Sequence, residues 1–296
     1  MPAHSRAAAA RDRSAFDRVP APGLVLVGIA SVQVGAAFAT KLFGHLGAGG
    51  TTLVRLLFAA IVLCAAWRPH LRAHTGRQLY LAALFGLALA LMNLSFYEAL
   101  TRIHLGVAVT LEFVGPLGVA LAGSRGPLDL VWALLAAGGV AVLGGFGTLS
   151  LAGAGFALAA GGFWASYILL NARVGRAFPG GSGLAIAMAI GTLPLIPVGI
   201  VDAGANLLQP RFLALGLAVA LLSSVIPYSV ELEALRRIRP QLFGVLMSLE
   251  PAMAALAGLV VIGQGLSALD VLAIGLVVMA SAGATFGSRG PAPVDA

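Results

Sequence analysis

The chain has 296 residues, of which 59% are hydrophobic and 10% charged. Soluble domains carry about 25% charged residues, so this composition excludes a soluble globular protein and indicates a polytopic membrane protein. The net charge of +7 reflects arginines gathered in loops, where they orient a membrane chain rather than grip nucleic acid; the single cysteine, Cys64, excludes a disulfide framework and a cysteine metal site.

Residues 1–22 are polar, carry Arg6, Arg11, Arg13 and Arg18, and show no periodic apolar face. They are expected to form a disordered cytoplasmic tail. The apolar run Gly23–Phe43 is too long for the core of a signal peptide and is followed by many others, so it is expected to remain as the first helix. A span takes about 20 apolar residues. Ten such runs follow one another, at 23–43, 50–67, 79–99, 104–123, 128–147, 151–171, 183–203, 211–232, 241–263 and 267–287. The run 50–67 is the shortest and contains Arg55.

With the N-terminus inside and the runs alternating, fourteen arginines fall on the inner side, including Arg68, Arg72, Arg77, Arg125, Arg173, Arg176, Arg236, Arg237, Arg239 and Arg289. The outer side holds Lys41, Arg102 and Arg211. This asymmetry predicts cytoplasmic termini. Five spans per half is an odd number, so the halves enter the bilayer from opposite sides. The expected fold is therefore an all-α polytopic membrane protein of ten transmembrane helices, arranged as two inverted five-helix repeats over 23–147 and 151–287. A short cytoplasmic tail covers 288–296. Glycines crowd the fifth and sixth spans (Gly138, Gly139, Gly144, Gly145, Gly153, Gly155, Gly161, Gly162). Their expected role is close helix packing.

One stretch occurs in both halves. EALTRI at Glu98–Ile103, GVAVTLE at Gly106–Glu112, Pro116 and ALAG at Ala120–Gly123 correspond to EALRRI at Glu233–Ile238, GVLMSLE at Gly244–Glu250, Pro251 and ALAG at Ala255–Gly258. The anchors repeat at a spacing of 135 (98 to 233, 116 to 251), but the carboxylates at 138 (112 to 250). The glutamates thus slide by three residues, just under one helical turn. Glu112 is the ninth residue of its run and Glu250 the tenth of its own, which puts both near mid-membrane. An ionisable residue there is a functional-site hypothesis by default: each glutamate either exchanges protons and holds a substrate ammonium, or serves as a hydrogen-bonding strut to a neighbouring helix.

Proline inside a span leaves the carbonyl four residues back without its helical donor. Pro116 frees the carbonyl of Glu112, Pro251 that of Met247 and Pro227 that of Ser223. These carbonyls either ligate a cation or amine, or mark kinks; for Pro227 the kink is the simpler reading. Gln33, Asn93, Trp164, Tyr167 and Tyr228 are candidate cavity residues, the alternative being interhelical bonds and interfacial anchoring. Arg55 either binds a carboxylate or extends to the interface. Ser95 and Ser166 also lie within spans, and Glu231 lies toward the inner end of its own. His45, His70, His74 and His104 fall in loops or at helix ends, so no metal site is expected. HExxH, GxSxG, P-loop and paired intramembrane aspartate motifs are missing, so neither an enzyme nor a nucleotide-driven pump is expected, and no cofactor.

The segments Ala30–Phe43 (ASVQVGAAFATKLF), Thr110–Arg125 (TLEFVGPLGVALAGSR), Gly161–Leu170 (GGFWASYILL), Ile226–Leu235 (IPYSVELEAL) and Phe243–Gly258 (FGVLMSLEPAMAALAG) resemble the drug/metabolite transporter superfamily with two EamA-type domains. The nearest resemblance is to its bacterial threonine/homoserine exporters, and it covers roughly residues 22–288. The superfamily's Leu-Glu-Pro pattern stands intact at Leu249–Pro251, whereas Phe113, Val114 and Gly115 separate Glu112 from Pro116. The resemblance implies efflux of small amino acids across the bacterial inner membrane by alternating access, with proton antiport by analogy. The implied partners are an amino-acid substrate, protons and the lipid bilayer; a homodimer is allowed. An EamA exporter of another substrate class, such as an amphipathic drug or a purine-like metabolite, is the alternative, and a non-transporting membrane protein a more distant one.

Overall fold

The computed structural model describes residues 20–122, 127–144, 150–235, 237, 243 and 246–287. Most of both expected tails, together with Arg125, Gly145, Arg236, Arg239 and Arg289, lies outside the described residues. The described chain is helical: α1 (Ala21–Thr40), α2 (Phe43–Trp67), α3 (Gly76–Leu100), α4 (Leu105–Glu112), α5 (Val114–Ala122), α6 (Pro127–Gly144), α7 (Leu151–Ala177), α8 (Ser182–Thr192), α9 (Leu195–Ala203), α10 (Pro210–Ala220), α11 (Ile226–Leu235), α12 (Glu250–Ala257) and α13 (Ala268–Gly287). Among the described residues, six helices are long and apolar enough to cross a membrane. A seventh span results if α8 and α9, bent by 50° at a short break, are taken together, and three shorter apolar helices accompany them.

Several boundaries differ from the sequence expectation. The first helix begins at Ala21, with Pro20 as its N-cap, so the tail ends before residue 22. The span expected at 50–67 is a 25-residue helix, because the glycine-rich stretch before it stays helical through one kink at Gly47 (φ 65°, ψ 178°). Glycine adopts that positive φ without a Cβ penalty. A Cβ at Gly47 would also lie 2.9 Å from Asp202, whose Oδ2 accepts from the Gly49 N–H at 2.8 Å. The run 183–203 breaks at Leu193–Pro194 into α8 and α9, where proline cannot continue the hydrogen-bond ladder.

Leu128, Leu134, Leu151, Val201, Val260 and Leu272 are exposed on the surface, an apolar exterior that water does not tolerate and lipid does. Between helices the attraction is then mainly close packing, since lipid tails are as apolar as leucine. Gly115 and Gly161 bring α5 and α7 together: a Cβ at Gly115 would lie 1.9 Å from the Gly161 carbonyl, and one at Gly161 2.5 Å from the Glu112 carbonyl. Gly139 packs on Ala273 of α13 and Gly153 on Arg102 and Ile103, whereas Gly138, Gly155 and Gly162 face open space. Polar side chains inside the helices mostly satisfy themselves four residues back, as Thr52 to Ala48, Thr110 to Gly106 and Asn93 to Leu89 do.

The neighbour relations form a simple scheme. α3 lies along α7 and α8, α2 along α8, α9 and α10, and α1 along α11 and α12. α4 packs on α7 and α12, and α6 on α13.

Candidate functional site

The helices surround a cavity of about 510 Å³. α1 contributes Gln33, α2 Arg55, α3 Asn93, α4 Glu112, α5 Pro116, α7 Trp164 and Tyr167, and α11 Pro227, Tyr228 and Glu231; Glu250 heads α12. Every residue singled out as a pathway candidate in the sequence lies on this one wall. Pro251 does not: it is buried within α12, behind Glu250. Glu231, expected nearer the inner end of its span, is on the wall as well.

Both glutamates sit where a helix is interrupted, on opposite sides of the interruption. Glu112 is the last residue of α4, before the turn at Phe113; Glu250 is the first of α12, after the turn at Ser248–Leu249. Phe113 and Ser248 are 135 residues apart, the spacing of the prolines. The interruptions therefore correspond, and the three-residue slide of the carboxylates moves one to the end of a half-helix and the other to the start of one. Glu250 is thus not midway along an unbroken span, as the sequence suggested. It stands in the first turn of α12 and makes no capping hydrogen bond there.

Glu112 is 7% and Glu250 5% exposed. Among the described residues, no side chain or backbone group donates a hydrogen bond to either carboxylate, and neither forms an ion pair. The strut expected of a purely structural glutamate is not seen there. Arg55 and Glu231 line the same cavity as the two glutamates.

The wall around Pro227 shows how a missing N–H is used. Leu221–Val225 form a π-helical turn just before it. The α-register partner of residue 227 is the carbonyl of Ser223, and the π-register partner that of Leu222. Both carbonyls take side-chain donors instead: Arg55 Nη2 donates to Ser223 O at 2.9 Å, and Ser31 Oγ to Leu222 O at 2.7 Å. Pro227 therefore does more than kink the chain; the turn before it is tied to α1 and α2. Arg55 is buried, so extension to the interface is ruled out. Nη1 also donates to Tyr97 Oη at 3.1 Å, and the guanidinium lies 5.4 Å from the centre of that ring.

Aromatic contacts fix the remaining wall. Trp164 meets Phe113 edge-on at 5.5 Å, and Tyr167 stacks on Phe85 at 5.2 Å. Gln33 Oε1 and Ser223 Oγ are buried with no hydrogen-bond partner among the described residues. Sequence reasoning missed Asn171, Ser281 and Thr285, which also line the cavity. Asn171 was legible: residues 164, 167 and 171 share one helical face. Ser95 and Ser166 are not on the wall; Ser166 donates to Gly162 O in its own helix. The histidines stay outside the cavity, His45 against Phe212 and His74 against Phe178.

Residues 151–286 match the EamA-like transporter family. The threonine/homoserine exporter RhtA of Escherichia coli K12 is 41% identical over 270 residues, covering 90% of this chain and 91% of that protein. The protein of the same description from Salmonella typhimurium LT2 is 40% identical over the same coverage. A crystal structure superposes with a TM-score of 0.61 at 20% identity, over 90% of this chain and 97% of the other, a likeness of fold. With relatives this similar along nearly their whole length, and with a helical membrane fold built around one polar cavity, the chain belongs to the EamA-like transporter family.

Proposed function

We propose that this protein exports small amino acids of the threonine and homoserine class across the bacterial inner membrane, by proton-coupled alternating access between two inverted five-helix halves with both termini cytoplasmic. The observation that carries the coupling is the pair of buried glutamates without a described partner in one cavity. Among the described wall residues, one guanidinium faces Glu112, Glu231 and Glu250. Fully ionised, that set would hold two uncompensated negative charges in an apolar enclosure, which is costly. Protons or a substrate ammonium balance it, so an arriving amine can displace a proton.

The neighbour scheme supports the inverted halves. Exchanging α1 with α7, α2 with α8–α9, α3 with α10–α11, α4–α5 with α12 and α6 with α13 carries the most extensive helix contacts onto one another, although the α2–α3 packing has no counterpart of its kind. The α3–α7 packing becomes α10–α11 on α1, and α4 on α7 becomes α12 on α1; α6–α13 and α4–α12 map onto themselves. If each of the three shorter apolar helices crosses as well, they would bring the six long helices and the bent pair to ten crossings.

A second reading has one observation in its favour. The cavity volume falls in the range of drug-sized ligands, and Phe113, Trp164 and Tyr167 give it an aromatic wall, which suits an amphipathic drug or purine-like metabolite.

The test is flux in reconstituted vesicles under an imposed pH gradient, for wild type and Glu250→Gln. Wild type is expected to accumulate threonine or homoserine, and Glu250→Gln to lose gradient-driven flux while retaining substrate counterflow. Wild-type flux from Glu250→Gln refutes the proton carrier and leaves Glu250 as packing. Transport of drugs or purines, with neither amino acid moved, selects the second reading.

A further inference from the structure

Arg55 is a buried cation that its neighbours position without neutralising. It is 5% exposed and lines the cavity. Its described partners are all neutral: Tyr97 Oη at 3.1 Å, Ser223 O at 2.9 Å and Ser224 Oγ at 3.4 Å. No carboxylate of a described residue lies within ion-pair distance of it. A guanidinium carries five N–H donors; three are engaged, which leaves two. Charged residues inside proteins are almost never fully buried unless paired, and an arginine inside a membrane costs several kcal/mol. A strut between Tyr97 and Ser223 needs only a neutral donor. A permanent planar cation with spare donors, held on a cavity wall, has the chemistry of an anion receptor, because its fork matches a carboxylate in two parallel hydrogen bonds.

The opposite pole is on the same wall. Glu112, Glu231 and Glu250 line the cavity that Arg55 lines, so one guanidinium and several carboxyls confront the same ligand. An α-amino acid zwitterion presents one anionic and one cationic group; an amine presents only the second.

We propose that Arg55 receives the α-carboxylate of the transported amino acid, while the cavity carboxyls take its ammonium. The proposal rests on the amino-acid-export reading and makes carboxylate recognition the basis of its specificity. The guanidinium that meets the substrate is also the one that holds Ser223 O, the carbonyl left free by Pro227. Carboxylate binding therefore bears directly on the joint between α2 and the π-helical turn.

The experiment is uptake of labelled threonine into vesicles holding the full chain, competed by threonine and by threoninamide, which keeps the ammonium and hydroxyl but lacks the carboxylate. Wild type is expected to discriminate against threoninamide by at least tenfold. Arg55→Gln and Arg55→Lys are expected to raise KM for threonine at least tenfold, with a smaller change in kcat, and to bring the threonine-to-threoninamide ratio toward one. Lysine keeps the charge but loses the fork, so it tests recognition rather than charge alone. If Arg55→Gln fails to fold, judged by elution profile and melting temperature, Arg55→Lys and the wild-type discrimination decide. Threonine transport by wild type with equal competition by threoninamide overturns the proposal and leaves the export reading standing. A wild-type KM and ratio in either variant also overturns it and makes Arg55 a strut. Transport of neither threonine nor homoserine by wild type removes the export reading, and this proposal with it.

Discussion

Two adjacent glycines on α7 provide a controlled test of what shapes the cavity. A Cβ added at Gly161 would meet the Glu112 carbonyl oxygen at 2.5 Å and its carbon at 3.2 Å, whereas one at Gly162 meets nothing within 4 Å. The obstacle at Gly161 is backbone, which cannot swing aside as a side chain can. To restore ordinary contact at 3.4 Å the carbonyl must retreat by roughly 0.9 Å, and Glu112 moves with it. Both substitutions gain the same helix propensity, on the order of 1 kcal/mol for glycine to alanine. Their difference therefore isolates the clash, at about 1–3 kcal/mol for overpacking. Gly162→Ala is expected to match or slightly exceed wild-type thermal stability in detergent and to transport normally. Gly161→Ala should melt several degrees lower and transport markedly less, since a displacement near 1 Å at a reacting group can cost on the order of a hundredfold. Equal melting temperature and flux for the two variants would refute the view that glycine contact between α7 and the α4–α5 turn positions Glu112.

Three further outcomes are expected. A reporter fused after Arg289 should read cytoplasmic and one fused near Gly147 periplasmic; the same side for both would overturn the inverted halves. Pro227→Ala restores an N–H that competes with Arg55 and Ser31 for the Ser223 and Leu222 carbonyls, and should lower flux on the order of tenfold at unchanged expression, an effect Pro210→Ala at the α10 start should not share. Gln264 Oε1 accepts from the Leu105 N–H at 3.0 Å and so caps α4 from a residue distant in the chain; Gln264→Ala should cost about 1 kcal/mol in thermal unfolding, while Gln264→Glu, which keeps an acceptor, should not.

The sequence by itself determined what depends on composition and local chemistry. A long apolar run has one stable form in lipid, a helix, because each backbone group must be satisfied within the segment; most of the spans and the membrane class followed from that. The cost of a polar group at mid-depth likewise made Gln33, Arg55, Asn93, Glu112 and Glu250 conspicuous, and the structure brings them to one cavity. What those residues touch was decided only by the tertiary structure. The sequence showed that Pro227 frees a carbonyl, but the donor that claims it, Arg55, is 168 residues away in the chain. It showed a three-residue slide between the glutamates, but the turns at Phe113 and at Ser248–Leu249 determine that the slide places them on opposite sides of an interruption. The expected runs 23–43 and 50–67 left the stretch between them outside any span; the structure carries it into α2 with a single kink at Gly47, where Asp202 packs closely. Gly161 and Gly162 are identical in local sequence chemistry, and only the helix laid across one of them separates their roles. Composition fixes what must be buried in lipid or satisfied within it, whereas pairing between distant helices depends on backbone approach, which no local pattern encodes.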